Sequence, residues 1–299
     1  MQNKARTLLA SVLWAVSISA LADSHNAPDT KFTVLEVADG IYMLQGKGGN
    51  VGVSVGDDGM LIVDDEYHSM SEALDAELKK LGGDNLRFIL NTHWHGDHTG
   101  GNVIFGRHAH IVAHTNVRKR LMSRQEIKLF NMVQEPQPKE ALPVITFDDS
   151  LSIHFNGEEL KVVHYPRGHT DGDTMVFFTG SNVVHMGDHY FARMFPFVDL
   201  ASGGNVLNLT RNVKTVMNSL PEDVVIIPGH GPLSKLNNLR AYYEMLEGTT
   251  AYVRKLRDEG MRLEQIQVKG LEPKWEQWSK GFISATNWIQ FIYQSLESS

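Results

Sequence analysis

The sequence predicts an α/β protein, a four-layer αββα sandwich of two mixed β-sheets flanked by helices. Three observations lead there. Short β-branched and aromatic runs come first and a helix follows; the same order then repeats, and the helices show one apolar face each.

Phe32–Val37 and Gly40–Gln45 read as strands around Ala38-Asp39. Asn50–Val55 and Met60–Val63 flank Gly56-Asp57-Asp58-Gly59, a hairpin turn. Ser69 with Glu72 reads as a capping box, and Met70, Leu74, Leu78 and Leu81 mark a helical face that Gly82-Gly83 ends. Leu86–Leu90 is a short apolar strand and Ile111-Val112 a brief one; Asn116 to about Met132 reads as helical. Leu151–His154, Leu160–His164, Thr174–Phe178 and Asn182–His185 read as strands. Val206, Leu209, Val213, Val216, Met217 and Leu220 define an amphipathic helix, and Val224–Ile227 a buried strand. Leu236 to Leu256 is a long helix. A last helical stretch carries Trp275, Trp278, Phe282, Trp288, Ile292 and Leu296, its tryptophans serving as packing anchors.

The first 22 residues stand apart. Lys4 and Arg6 precede an apolar run from Leu8 to Leu21, which ends in Ala20-Leu21-Ala22 and the polar Asp23-Ser24-His25-Asn26. That is the layout of a secretory signal peptide, too short for a membrane span, so the mature chain is expected in the periplasm or secreted, with cleavage after Ala22. The alternative is an uncleaved N-terminal anchor. No other segment is long and apolar enough to cross a bilayer, so no stable membrane insertion is expected. The expected division is 1–22 signal peptide, 23–235 catalytic domain, and 236–299 a C-terminal helical extension packed on the same domain.

Without residues 1–22 the net charge falls from −7 to −9, since two basic residues and no acidic ones are lost. Nucleic-acid binding needs clustered Lys and Arg, so this balance argues against it. The expected partner is a small-molecule substrate. Cysteine is absent, so any metal must be held by nitrogen and oxygen.

The chemistry concentrates in Asn91-Thr92-His93-Trp94-His95-Gly96-Asp97-His98-Thr99-Gly100-Gly101-Asn102. Residues two apart in an extended segment point the same way, so His93 and His95 can face one metal. Asp97 and His98 come as the chain turns and can aim at a second. Three further candidates follow strands downstream, each beside glycine: His169, Asp188 and His230. His25, His68, His108, His110, His114, His154, His164 and His185 have no motif context and are expected at the surface or the core edge.

The order H-x-H-x-D-H, Gly-His-Thr, Gly-Asp, Pro-Gly-His resembles the metallo-β-lactamase superfamily over about residues 32–235. The resemblance implies the fold of that name and two zinc ions. It places His93, His95 and His169 on the first metal, Asp97, His98 and His230 on the second, and Asp188 between them. Asp64 falls where the family has a structural Asp beneath the site. The lactamases that use cysteine are excluded; His98 and Asp188 look more like the glyoxalase II and lactonase branches. Di-iron relatives place Glu where this chain has His95, which favours zinc. The basic residues with which glyoxalase II grips glutathione are not found, and neither the inserted domain nor the basic surface of the nuclease branch is evident.

The implied reaction is hydrolysis of an ester, thioester or lactone by a hydroxide that the two metals share, with Asp97 orienting it and shuttling its proton. β-Lactam hydrolysis is the alternative. His189, Tyr190 and Arg193, in the aromatic segment after Asp188, are expected to face the substrate, with Arg193 pairing a substrate carboxylate. Gly46–Asn50 is expected to act as a mobile flap.

Overall fold

Strand residues alternate between two environments, and this alternation builds the layers. A computed structural model describes residues 31–82 and 85–298; the expected signal peptide lies outside the described residues. The first sheet runs antiparallel through β1 (Thr33–Ala38), β2 (Ile41–Gln45), β3 (Val51–Gly56) and β4 (Gly59–Val63). It continues in parallel through β5 (Leu86–Asn91) and β6 (His110–His114). A small hairpin of β7 (Gln125–Ile127) and β8 (Met132–Gln134) projects before β9 (Ile145–Phe147) closes that sheet beside β6. The second sheet orders β10 (Ser150–Phe155), β11 (Glu158–His164), β12 (Thr174–Phe178), β13 (Val183–His185), β14 (Val225–Ile227) and β15 (Ser234–Lys235). Only its β13–β14 pair is parallel among these described strands.

Leu61, Val63, Leu90 and Val112 of the first sheet meet Val162, Val176, Phe178 and Ile227 of the second in one buried cluster. Their strand neighbours Met60, Ile62, Ile89 and Ile111 face outward onto α1 (Ser71–Lys80) through Leu74 and Leu78, with Phe105 beside them. On the far side, Met175, Val184 and Ile226 face α5 (Val206–Met217), α6 (Leu236–Asp258) and α8 (Ala285–Glu297). Fully burying each such side chain stabilises by about 1.5–3 kcal/mol, so one-residue slips are strongly disfavoured. α2 (Gly96–Thr99), α3 (Asn102–Phe105) and α4 (Thr115–Leu121) are short turns around the metal motif, and α7 (Leu263–Lys269) lies between α6 and α8. The C-terminal helices share their core cluster with β12–β14 and residues 190–198.

Three expectations need correction. The helix expected from Asn116 to about Met132 stops at Leu121, whose carbonyl accepts a hydrogen bond from Gln137 N, and the chain turns into the β7–β8 hairpin. The last helical stretch is two pieces. A 3-10 helix spans Pro273–Lys280, and after Gly281 the Ser284 side chain caps α8 by accepting from Asn287 N. Trp278 and Trp288 are core, as packing anchors should be. The Ser69/Glu72 capping box does not form, because a 3-10 turn at His68–Met70 leads directly into α1.

Candidate metal centre

One edge of the sandwich collects the ends of four strands. β11 and β13 are each antiparallel to β12, and β14 is parallel to β13, so β11, β13 and β14 run the same way. His169, Asp188 and His230 lie just beyond them, and the β5 terminus of the other sheet brings His93, His95, Asp97 and His98. A side chain at Gly229 would collide with the Asp188 carboxylate, and one at Gly49 with the His98 ring. Glycine lets the backbone come this close.

The seven residues form two groups. In one, donor atoms of His93, His95, His169 and Asp188 lie within 4.8 Å of one another; in the other, those of Asp97, His98 and His230 do. His95 Nδ1 stands 3.0 Å from His93 Nε2 and 2.9 Å from His169 Nε2. His98 Nε2 and His230 Nε2 are 3.3 Å apart, and His230 Nε2 is 3.3 Å from Asp97 Oδ2. Asp188 lies between the groups: Oδ2 is 3.3 Å from His169 Nε2 and 3.5 Å from His230 Nε2, and Oδ1 is 3.2 Å from His98 Nε2.

Such an arrangement fits a cation better than a hydrogen-bond network. Ring nitrogens that face one another leave lone pairs pointing inward, and Asp188 Oδ1 is buried without a hydrogen bond. Imidazole and carboxylate donors without thiolate suit a divalent metal. The charge states divide between the two groups: one offers neutral rings, and the other, without metal, holds protonated rings that must lose a proton before they can ligate. Burial holds the His93 imidazole well below its usual range and brings His169 down to about 4, so both are neutral donors at pH 7. Burial also works against charge on His98 and His230, but nearby carboxylates overrule it. Asp188, Asp97 and Asp64 raise His98 well above its ordinary value, and Asp188 and Asp97 raise His230 to about 9. Burial pushes the Asp188 carboxyl upward, yet the charged His230 and His98 hold it well below the usual carboxylate range.

The outward-facing ring nitrogens are held as well. Asp64 Oδ2 lies 2.7 Å from His98 Nδ1, while Asp64 also accepts from Thr92 N at 2.7 Å and Thr92 Oγ1 at 2.8 Å. His169 Nδ1 meets the Phe197 carbonyl at 2.8 Å, and His95 Nε2 lies 3.2 Å from Asp199 Oδ2. Such contacts fix ring orientation and tautomer. The loop before Asp173 is anchored from two sides. Asp173 accepts from His169 N and Thr170 N, and Arg120 grips Asp171 with two parallel bonds of 2.7 and 2.8 Å.

A cavity of about 760 Å³ opens above Asp97 and Asp188. The expected flap lines it but is tied down: Gly48 N donates to Glu66 Oε1 at 2.7 Å, and Asn50 Nδ2 to the Pro228 and Gly231 carbonyls. The structure does not bring His189, Tyr190 or Arg193 to this cavity. His189 is buried against Asn212, with 3.1 Å between Nε2 and Nδ2. Tyr190 is in the core, its hydroxyl 3.0 Å from Ser234 Oγ. Arg193 is exposed at a positive φ of 66°. The tight turn that holds Asp188 sends its immediate successors inward, and Met194 and Phe197 of the same segment reach the cavity instead.

Sequence reasoning missed Asp199, Glu66 and the cavity walls. Asp199 is the only acidic residue between Asp188 and Glu222, with Ser202 three residues on, which was a readable sign. Glu66 ends a run of three acids directly after an apolar strand.

Comparison with known proteins agrees with this geometry. A probable metallo-hydrolase of Methanocaldococcus jannaschii is 26% identical over 181 residues, 58% of this chain and 83% of that one. A hydroxyacylglutathione hydrolase of Haemophilus influenzae is 28% identical over 155 residues, 49% of this chain and 69% of the other. A metallo-β-lactamase structure from Pontibacter korlensis superimposes with a TM-score of 0.59 at 16% identity, covering 73% of this chain and 99% of that one. The model of the metallo-β-lactamase superfamily matches residues 47–230, well over half of the chain. With its two stacked sheets, outer helices and metal-binding His/Asp cluster, this chain belongs to the metallo-β-lactamase superfamily and is a metal-dependent hydrolase.

Proposed function

We propose that the chain is an exported, dinuclear zinc hydrolase that cleaves an ester, thioester or lactone. The observation that carries this reading is the position of Asp188, whose carboxylate reaches both donor groups. His93, His95 and His169 would hold one ion, Asp97, His98 and His230 the other, and Asp188 both. When bound, two such ions supply a nucleophilic water at neutral pH and polarise the scissile carbonyl. The relatives named hydroxyacylglutathione hydrolases support acyl transfer to water as the reaction. Export rests on the charged, apolar and small-residue order of residues 1–22.

The chain's own groups have separable roles. Asp97 is the more open carboxylate, its side chain 18% exposed against 4% for Asp188. It therefore orients the attacking water and passes its proton to solvent. Asp64 and Asp199 keep His98 and His95 aimed. Trp94, Phe197 and Tyr67 shield the cavity floor from bulk water, which strengthens every charge interaction within it.

The test is kcat/KM of the zinc-loaded mature protein on a simple thioester and a cephalosporin, side by side. The reading expects the thioester to lead, at about 10⁴ M⁻¹s⁻¹ or more, with activity abolished by chelation. A cephalosporin value well above the thioester would replace it with β-lactam hydrolysis.

A further inference from the structure

Two walls of the cavity come from segments that supply none of the donor groups. The β7–β8 hairpin contributes Ile127, Phe130, Met132 and Val133, and the turn before α8 contributes Phe282. These walls meet: the Phe130 ring is edge-on to Phe282 at 6.0 Å and to Phe197 at 5.0 Å. The rings then continue down to both histidine groups. Phe197 lies 5.7 Å from His95 and 5.6 Å from His169, and Phe282 lies 5.6 Å from His230. An apolar track therefore runs from the donor imidazoles to the rim.

At the rim the side chains stay open to water: Met132 is 40% exposed, Val133 49% and Phe282 50%. Apolar surface grouped at the mouth of a site marks what that site takes in. Charge points the same way. Lys47 is the one Lys or Arg among the described lining residues, and Glu135 on the hairpin side is already paired, 3.5 Å from Arg124. No guanidinium lines the cavity among the described residues, and Arg124 beside it is engaged by Glu135.

We propose that the cavity selects substrates bearing an uncharged hydrocarbon chain, medium or long, which lies along Phe130 and Phe282 with the scissile carbonyl over Asp97 and Asp188. This rests on the carbonyl-hydrolase reading above. The step is ordinary hydrolysis: water adds its oxygen to the acyl carbon, the acyl–oxygen bond breaks, and a proton goes to the departing alcohol. The loops that carry the track lie outside the donor set, so chain selectivity can be removed without touching the metal ligands.

The experiment uses the zinc-loaded protein with p-nitrophenyl acetate, butyrate and octanoate below their micelle thresholds. Calorimetric titration with acetate and octanoate ions runs beside it. Wild-type kcat/KM is expected to rise about threefold per added methylene. In Phe282→Ala and in Val133→Ser the octanoyl-to-acetyl ratio is expected to fall at least about fivefold. Both side chains are half exposed, so neither change opens a cavity in the core. Cleavage of all three esters with a flat or falling series would overturn the proposal and leave the hydrolase reading standing. Cleavage of none, with octanoate still bound more tightly than acetate and Phe282 needed for the difference, would sustain the apolar track and overturn the carbonyl-ester reading.

Discussion

Single residues carry the site through the partners behind them. His95 shows this: its Nδ1 faces the other donors while Nε2 lies 3.2 Å from the buried Asp199. The Asp199 side chain also accepts from Ser202 N at 3.1 Å, so its own position is fixed. Burial works to raise its pKa, but His95 and Ser202 together leave the carboxyl below its ordinary value, ionised at neutral pH. Asp199→Ala should therefore lower zinc affinity or turnover by about 10- to 100-fold, with an unchanged circular dichroism spectrum. Equal zinc affinity and turnover in variant and wild type would show that His95 needs no such support. At this scale the sequence was informative where spacing encodes geometry. Spacing brought His93 with His95 and Asp97 with His98, and the family resemblance supplied the places of His169, Asp188 and His230 in the two donor groups. His189, Tyr190 and Arg193 misled because adjacency to Asp188 says nothing of direction. A 3-10 turn at Gly187–His189 aims Asp188 outward and its neighbours into the core.

Elements meet at junctions where one side chain serves two of them. His114 ends β6 and its ring accepts from Asn116 N, capping α4. The same ring stacks on His164, at the end of β11, with centroids 3.8 Å apart. His164 Nδ1 in turn meets the Asp173 carbonyl at 2.7 Å. Burial lowers both imidazoles, and for His114 the neighbouring His164 adds to it, bringing His114 down to about 4. Unfolded His114 takes up its proton near pH 6.5, whereas folded His114 resists it until about 4. Stability conferred by the neutral pair is thus present above pH 6.5 and lost as pH falls from 6.5 towards 4. His114→Asn keeps a capping acceptor but cannot titrate. In metal-free protein its urea midpoint should depend less on pH over that window than the wild type's; identical slopes would refute this role for the pair. Periodicity alone found most elements but not their ends. Residues 116–132 kept helical spacing on paper, yet Ile127 and Phe130 pack against the cavity, and the chain forms a hairpin to put them there. Tertiary packing overrode local preference, as it also did in splitting the last helix at Gly281.

The whole molecule is two sheets that meet through one face each and carry helices on the other. That plan was legible because strands precede a helix twice along the sequence; β4, β12 and β14 are near-continuous apolar runs whose successive side chains feed a core on both sides. The cavity was not legible, since its walls come from residues 45–48, 125–137 and 281–282, which only the folded chain brings together. Assembly of the metal centre likewise needs both sheets: β5 brings four of its residues, and β11, β13 and β14 one each. Metal should therefore stabilise the folded state as a whole, by about 4 kcal/mol at a free concentration 1,000 times Kd. The most direct test of the account is a zinc titration of metal-free protein, followed at once by calorimetry and by thioester hydrolysis. Two zinc ions bound per chain, with hydrolysis rising as the sites fill, is the predicted result. Saturation at a single ion, or hydrolysis that persists in excess chelator, would contradict the two-metal centre on which the account rests.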